Sequence, residues 1–323
     1  MSEFDLIRQH FTRTTQNTDL GIGDDAALIS ISAGMQIAIS ADMLVSGTHF
    51  FADADPYAIG WKSLAVNISD MAAMGADPKW ATLAIALPQN DAAWLAQFSA
   101  GFFACAQAFH VDLIGGDTTR GPLTISVQIM GELPTGKALQ RSGAQLGDDI
   151  WVSGRLGDAA LALAHLQGQL VLPEALLAKC ATALHTPQPR VKLGLALHDI
   201  AHSAIDISDG LLADLGHILE ASTLGTTIGA TLQLSTIPHT QSDVFVNDLG
   251  DPQQLKIVLA GGDDYELCFT AAATKRAEIL QLSTQLNVPL TLIGEISAGA
   301  GIVVHGRHHE IVELKETGFD HFN

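Results

Sequence analysis

Cations, cysteines and aromatic side chains are all scarce in this 323-residue chain. Lys and Arg number 16 against 35 Asp and Glu, so the formal net charge is -19 at pH 7. So acidic a surface lacks the cationic field that holds a phosphate backbone and is repelled by anionic lipid. Nucleic acid and membrane are therefore not expected as partners. The three cysteines, Cys105, Cys180 and Cys268, stand far apart and form no CxxC pair. That spacing supports neither a disulfide framework nor a cysteine-based zinc site, and it suits a reducing cytoplasm. No apolar run reaches the ~20 residues of a membrane span, and no charged-then-apolar export signal opens the sequence. A soluble, cytoplasmic protein is expected.

What is abundant is aspartate. There are 25 Asp and 10 Glu, and Glu3 and Glu132 are the only glutamates in the first 150 residues. A solvated helical surface favours Glu, whereas Asp concentrates at caps, turns and hard-cation sites. Many of these aspartates stand beside Gly or Ser at the ends of apolar runs.

With 47% hydrophobic residues, a chain this long suggests two domains at roughly 150 residues each. The expected division is 1–147 and 148–323. In the first part, short apolar runs at Ala26–Ser32 and Met35–Ser40 read as strands, as do Ala81–Leu87 and Leu123–Met130. Pro56–Gly75 and Asp91–His110 have helical spacing. In the second part, helices are expected at Leu156–Leu166, Pro173–Leu184 and Arg190–Ala201, and strands near Ala204–Ile207, Ile257–Ala260 and Leu290–Gly294. The fold class is α+β or mixed α/β. No fixed-period repeat is present, although Asn67-Ile-Ser-Asp70 echoes Asp206-Ile-Ser-Asp209, and Gly115-Gly-Asp117 echoes Gly261-Gly-Asp-Asp264.

Several phrases suit phosphate and cation chemistry. Gly21-Ile-Gly-Asp-Asp25 joins flexible backbone to hard oxygen ligands. Ser40-Ala-Asp42 closes a strand, and pairing of that strand with its predecessor would bring Asp42 beside Asp25. Asp70 lies on the polar side of the Pro56–Gly75 helix. Gly115-Gly-Asp117 reads as a turn whose amides could approach phosphate oxygens. Asp206 ends a strand, and Ser208 or Asp209 is placed to cap the helix that follows. Taken singly, each phrase is equally an ordinary turn or cap. Gly131-Glu-Leu-Pro-Thr-Gly-Lys137 has P-loop spacing, but Ala138 stands where the metal-binding hydroxyl belongs and no convincing helix follows. His308 and His309 sit in a polar, hairpin-like tail. Asp25, Asp42, Asp70, Asp117, Asp206 and Asp209 cannot all ionise in one cleft without cations, and oxygen-only ligands select Mg²⁺ or a similar ion. Several such ions point to a polyphosphate ligand.

In order along the chain, these residues resemble the thiamine-monophosphate kinase family, within the aminoimidazole-ribonucleotide-synthetase-like superfamily. The resemblance is carried by Gly23-Asp-Asp-Ala-Ala27, Ser40-Ala-Asp42, Gly47-Thr-His-Phe50, Gly60-Trp-Lys-Ser63 and Asn67-Ile-Ser-Asp70. It continues through Gly75-Ala-Asp-Pro-Lys-Trp80, Gly115-Gly-Asp117, Asp206-Ile-Ser-Asp-Gly210, Gly262-Asp-Asp-Tyr-Glu266 and Gly318-Phe-Asp-His-Phe322. It implies direct, Mg²⁺-dependent transfer of the ATP γ-phosphoryl group to thiamine monophosphate, yielding thiamine diphosphate and ADP. By matching position, Asp25, Asp42, Asp70, Asp117, Asp206 and Asp209 would hold several Mg²⁺ ions, with Ser40 and the backbone of Ala41 assisting. Gly116, Asp117, Arg141 and Ser208 would meet ATP, and His49, Asp263 and Phe319 would meet thiamine monophosphate. The resemblance also implies a homodimer formed through the N-terminal sheets, each with helices on its other face, and a C-terminal α/β domain completing the active site. Ala41 departs from the Thr often found there, and Ser99 replaces an aromatic that some relatives place near the nucleotide. Three alternatives stay open: another superfamily member such as a synthetase that activates a carbonyl oxygen with ATP, a Mg²⁺-dependent nucleotide-binding regulator without turnover, and a non-catalytic acidic scaffold.

Overall fold

The computed structural model describes residues 3–223, 227–240, 252–312 and 318–319. Asp320, His321 and Phe322 of the closing phrase lie outside the described residues. The chain divides into two compact units, Met1–Met71 with Ala76–Lys137, and Ala72–Gly75 with Ala138–Asn323. The second unit thus begins ten residues before the expected division at 147/148. Residues 138–147 belong to it because Ala144 joins its core and the Ala204 amide donates to the Gln140 carbonyl.

A short helix α1 (Glu3–Leu6) and a π-helical turn at Ile7–Phe11 precede the first sheet. That sheet comprises β1 (Met35–Val45), β2 (Asp77–Leu87), β3 (Asp112–Arg120) and β4 (Thr124–Pro134), in the order β1-β4-β2-β3. Only the β2–β3 pair is parallel. Helices α2 (Pro56–Ala73) and α3 (Ala92–Ala108) follow β1 and β2. Asp91 caps α3, its carboxylate accepting the Ala93 and Trp94 amides at 3.0 and 3.1 Å. The two helices cross so closely that a Cβ on Gly60 would lie 2.0 Å from the Phe98 carbonyl oxygen, and one on Gly101 1.9 Å from that of Tyr57.

Alternation along the strands separates two faces. Leu44, Ile125, Val127, Ile129, Leu83 and Ile85 are buried, whereas Ile39, Ala41, Met43, Gln128 and Ala84 are exposed. The expected strand at Ala26–Ser32 does not form. Its Leu28 is tied to Leu20 by an isolated bridge, and Leu28 and Ile31 are exposed, so the run has no buried face to hold it in a sheet.

The second sheet has the order β10-β7-β9-β5-β8-β6. Its strands are β5 (Asp148–Ser153), β6 (Ser203–Asp206), β7 (Ile228–Gln233), β8 (Leu267–Ala272), β9 (Leu290–Ala298) and β10 (Gly301–His305). They are accompanied by α4 (Asp158–Leu166), α5 (Glu174–His185), α6 (Val191–Ala196), α7 (Leu211–Ser222), α8 (Pro252–Ala260) and α9 (Arg276–Leu286). Its core gathers Ile150, Val152, Leu215, Ile218, Val258 and Ile293. Residues Ile257–Ala260, expected as a strand, are the last turn of α8. Pro252 starts that helix at a position where its missing N–H costs nothing, and a short buried apolar run carries no period of its own.

Candidate active site

In the first unit, the candidate ligands gather where β1 meets α2. Ser40 and Asp42, two residues apart, face the same side as buried Leu44. Ser40 Oγ donates to Asp70 Oδ2 at 2.6 Å, and the Asp42 amide, on the sheet's open edge, donates to Asn67 Oδ1 at 3.1 Å. Burial, reinforced by the Asp70 charge, pushes the Asp42 carboxyl up to about 7. Two carboxylates and a hydroxyl in one half-buried corner form an all-oxygen donor set whose repulsion a hard divalent cation would relieve. This corner therefore fits Mg²⁺. Asp42 lies within β1, which runs to Val45, so the expectation that it closes a strand is corrected. So is its pairing with Asp25, since the partner strand is absent; its carboxylate neighbour is Asp70.

Asp25 lies on an exposed loop, its amide donating to Asp24 Oδ1 at 2.9 Å. That loop is pinned at both ends by buried acids. Asp112 accepts the Gln16 and Asn17 amides and the Thr18 hydroxyl, and Glu132 accepts the Ser32 amide and hydroxyl. Glu132 belongs to the P-loop-like phrase, whose first four residues are the end of β4 and not a phosphate loop.

Gly116 and Asp117 also differ from expectation. They do not form a turn after a strand but sit inside β3, with a bulge ahead of Gly115. Gly116 is required by close packing: at φ 149°, a Cβ would lie 1.8 Å from the Leu83 carbonyl oxygen. In register, Asp42 aligns with Val127, Leu83 and Gly116, so Asp117 points to the opposite, exposed face with Ala84. Three strand spacings, about 14 Å, separate the two edges. Among the described residues, no three His, Cys, Asp or Glu side chains come together as a metal-binding group. Within the first unit, Asp42 and Asp70 are the clearest pair.

His49 is half-buried in the turn after β1. Its Nδ1 accepts the Val45 amide at 2.9 Å, which leaves Nε2 to carry the ring proton in the neutral form. Ala41 faces the exposed side, and Ser99 is buried in α3, its hydroxyl on the Ala96 carbonyl.

In the second unit, one backbone ladder organises the candidates. Asp206 ends β6 and is buried. Beyond it, Ile207 exchanges hydrogen bonds with the opposing segment, donating to the Glu266 carbonyl and accepting from Tyr265, both at 2.8 Å. The Asp263 amide donates to the Ser208 carbonyl at 2.9 Å, and the Phe319 amide to the Asp209 carbonyl at 3.1 Å. Asp206, Ser208, Asp209, Asp263 and the half-exposed Phe319 are thus brought together. Neither Ser208 nor Asp209 caps α7. Asp214, one turn into the helix, reaches back to accept the amides of Ser208, Asp209 and Gly210 at 3.0, 3.1 and 3.1 Å. Burial, with the Asp209 charge beside it, pushes the Asp214 carboxyl up to about 7. The Asp214 carboxylate thus holds the turn that leads into α7.

Arg141 lies on an exposed loop anchored by Ser222, whose hydroxyl donates to the Arg141 carbonyl and accepts the Gly143 and Ala144 amides. Sequence reasoning missed Asn67 as an edge clasp, Asp214, Ser222, and the Arg190–Glu266 pair that braces the Gly262–Glu266 segment. Only Asp214 had a local signal, as an acid in the first turn of a helix without an N-terminal side-chain cap.

The two-layer sheet of the first unit defines a class. Residues 23–133 match the AIR synthase related protein, N-terminal domain family. Full-length relatives narrow it. The chain is 46% identical to the thiamine-monophosphate kinase of Escherichia coli K12 over 324 residues, covering 99% of this chain and 98% of that protein. The crystal structure of a thiamine-monophosphate kinase from Stenotrophomonas maltophilia K279a superposes with TM-score 0.83 at 48% identity, covering 93% of this chain and 94% of the other. A structure of AaThiL complexed with AMPPCP and TMP superposes with TM-score 0.77 at 26% identity, covering 99% and 96%. The chain belongs to the thiamine-monophosphate kinase family.

Proposed function

We infer that this chain transfers the γ-phosphoryl group of ATP to thiamine monophosphate, releasing thiamine diphosphate and ADP. The observation that carries this reading is the ladder on which Asp263 and Phe319, assigned to the acceptor, hang from the carbonyls of Ser208 and Asp209, assigned to nucleotide and metal. Family membership and the AaThiL complex with an ATP analogue support the same pair of substrates.

Both reactants are anions, so their approach demands positive charge, which Mg²⁺ supplies by neutralising the phosphates. Ser40, Ala41 through its backbone, Asp25, Asp42, Asp70, Asp117, Asp206 and Asp209 are assigned to hold these ions and not to attack phosphorus. Gly116, Asp117, Arg141 and Ser208 are assigned to ATP. His49 is assigned to the acceptor, with Asp263 recognising the aminopyrimidine and Phe319 covering a ring. On this assignment, the N-terminal domain binds nucleotide and metal, and the C-terminal domain completes the site.

Apolar side chains on the open sheet face support a homodimer through β1. Ile39 is 60% and Met43 57% exposed, flanking Ala41. Free, buried cysteines are consistent with a cytoplasmic setting. Among the described residues, no helix is long and apolar enough to cross a membrane.

Chromatography of products from ATP, Mg²⁺ and thiamine monophosphate tests the reading. Matched ADP and thiamine diphosphate, lost with chelator, are expected; folded protein giving no thiamine diphosphate contradicts it.

A further inference from the structure

The segment Gly262–Glu266 holds two non-glycine residues in the left-handed region, Asp263 at φ 69° and Tyr265 at φ 50°. An aromatic residue there is strained, and such strain persists only where surrounding bonds over-determine it. They do so here. The Asp263 and Tyr265 amides are tied to the carbonyls of Ser208 and Ile207. The Asp264 carboxylate accepts the Gly157 amide at 2.9 and 3.0 Å. Arg190 grips Glu266 through Nε at 2.6 Å and through Nη2, and Ser153 Oγ donates to the same carboxylate at 2.5 Å. Within this braced fold-back, the Tyr265 hydroxyl donates to Asp263 Oδ1 at 3.0 Å.

We propose that Tyr265 is a positioning residue for acceptor recognition: its phenol sets the plane of the Asp263 carboxylate before thiamine monophosphate arrives. The proposal rests on the assignment of Asp263 to the acceptor. A carboxylate oriented in advance loses less freedom when the acceptor binds, so the benefit belongs to the acceptor and not to ATP. The Asp263 main chain is held in register with Ser208 by a backbone bond, and the Tyr265 phenol donates to its carboxylate.

The test is Tyr265→Phe, with binding of thiamine monophosphate and of Mg²⁺-ATP each measured by calorimetry and KM measured for both substrates. The expected result is a roughly five- to twentyfold rise in Kd and KM for thiamine monophosphate, the scale of one hydrogen bond to a charged group. ATP binding and melting temperature should stay at wild-type values. In an Asp263→Ala background, Tyr265→Phe should add no further loss, because the phenol then has no carboxylate to orient. Unchanged acceptor binding in a normally melting Tyr265→Phe protein overturns the proposal, as does full additivity with Asp263→Ala. Fluorotyrosine at both tyrosines is a second probe that preserves shape while letting the phenol ionise nearer neutrality. The KM for thiamine monophosphate should then rise with pH in the labelled protein alone, and an unchanged profile overturns the role. A wild-type protein that binds ATP but no thiamine monophosphate removes the reading of the site, and this inference with it.

Discussion

Ser40 on β1 donates its hydroxyl to Asp70 on α2 at 2.6 Å, and this contact joins strand and helix beside Asp42. The corner contains two carboxylates, and Asp42 resists ionisation because it is buried and, second, because the Asp70 charge lies beside it. A protein optimised for stability alone would not keep such a pair, which is why the corner reads as a cation site.

Replacing Asp42 by Asn should separate stability from function. Its carboxyl is raised from 3.8 to about 7. The stability this group contributes is therefore full below about pH 4 and is lost as pH rises through about 7. In chelator at pH 8, Asp42→Asn should melt at or above the wild-type temperature, and its melting point should vary less with pH. Turnover should fall by roughly two orders of magnitude or more, because the metal site loses a charged ligand. Thermal melts across pH together with initial rates check both halves; wild-type turnover in the variant would remove Asp42 from the ligand set.

Asp214→Ala should destabilise the second unit. It leaves the amides of Ser208, Asp209 and Gly210 without their acceptor at the start of α7. Leaving three amides unpaired, one of them buried, is expected to cost about 2–3 kcal/mol by denaturant unfolding. Asp214→Asn keeps an oxygen acceptor and should recover much of the loss.

The open face of the first sheet should govern assembly. Met43→Lys places a charge among the exposed Ile39, Ala41 and Ala84 without touching the buried side of β1. Light scattering should show a dimer for the wild type and a monomer for the variant. A variant that stays dimeric would move the interface elsewhere.

Much of this was legible in the sequence where the signal was local. Pro56–Gly75 and Asp91–His110 showed helical spacing, and helices form at Pro56–Ala73 and Ala92–Ala108. Legibility failed where tertiary context decides. Gly115-Gly-Asp117 looks like a turn, yet it lies within β3 after a bulge, where pairing with β2 leaves Gly116 no room for a side chain. Ile257–Ala260 is a short apolar run with no period of its own, and it is read correctly only as the last turn of the helix that begins at Pro252. At the site, residue types announced oxygen-ligand chemistry, whereas partnerships did not follow from spacing. Asp42 with Asp70 spans 28 positions, and the bond from Asp263 to Ser208 spans 55. Such pairs exist only once two segments have been brought side by side.

The central claim is a phosphoryl transfer between two named substrates, and phosphorus NMR of the purified protein with ATP, Mg²⁺ and thiamine monophosphate tests it most directly. The account predicts loss of the ATP γ-signal matched by growth of the two phosphorus signals of thiamine diphosphate and by equal ADP. Loss of the γ-signal into inorganic phosphate alone, with thiamine monophosphate intact, would contradict it.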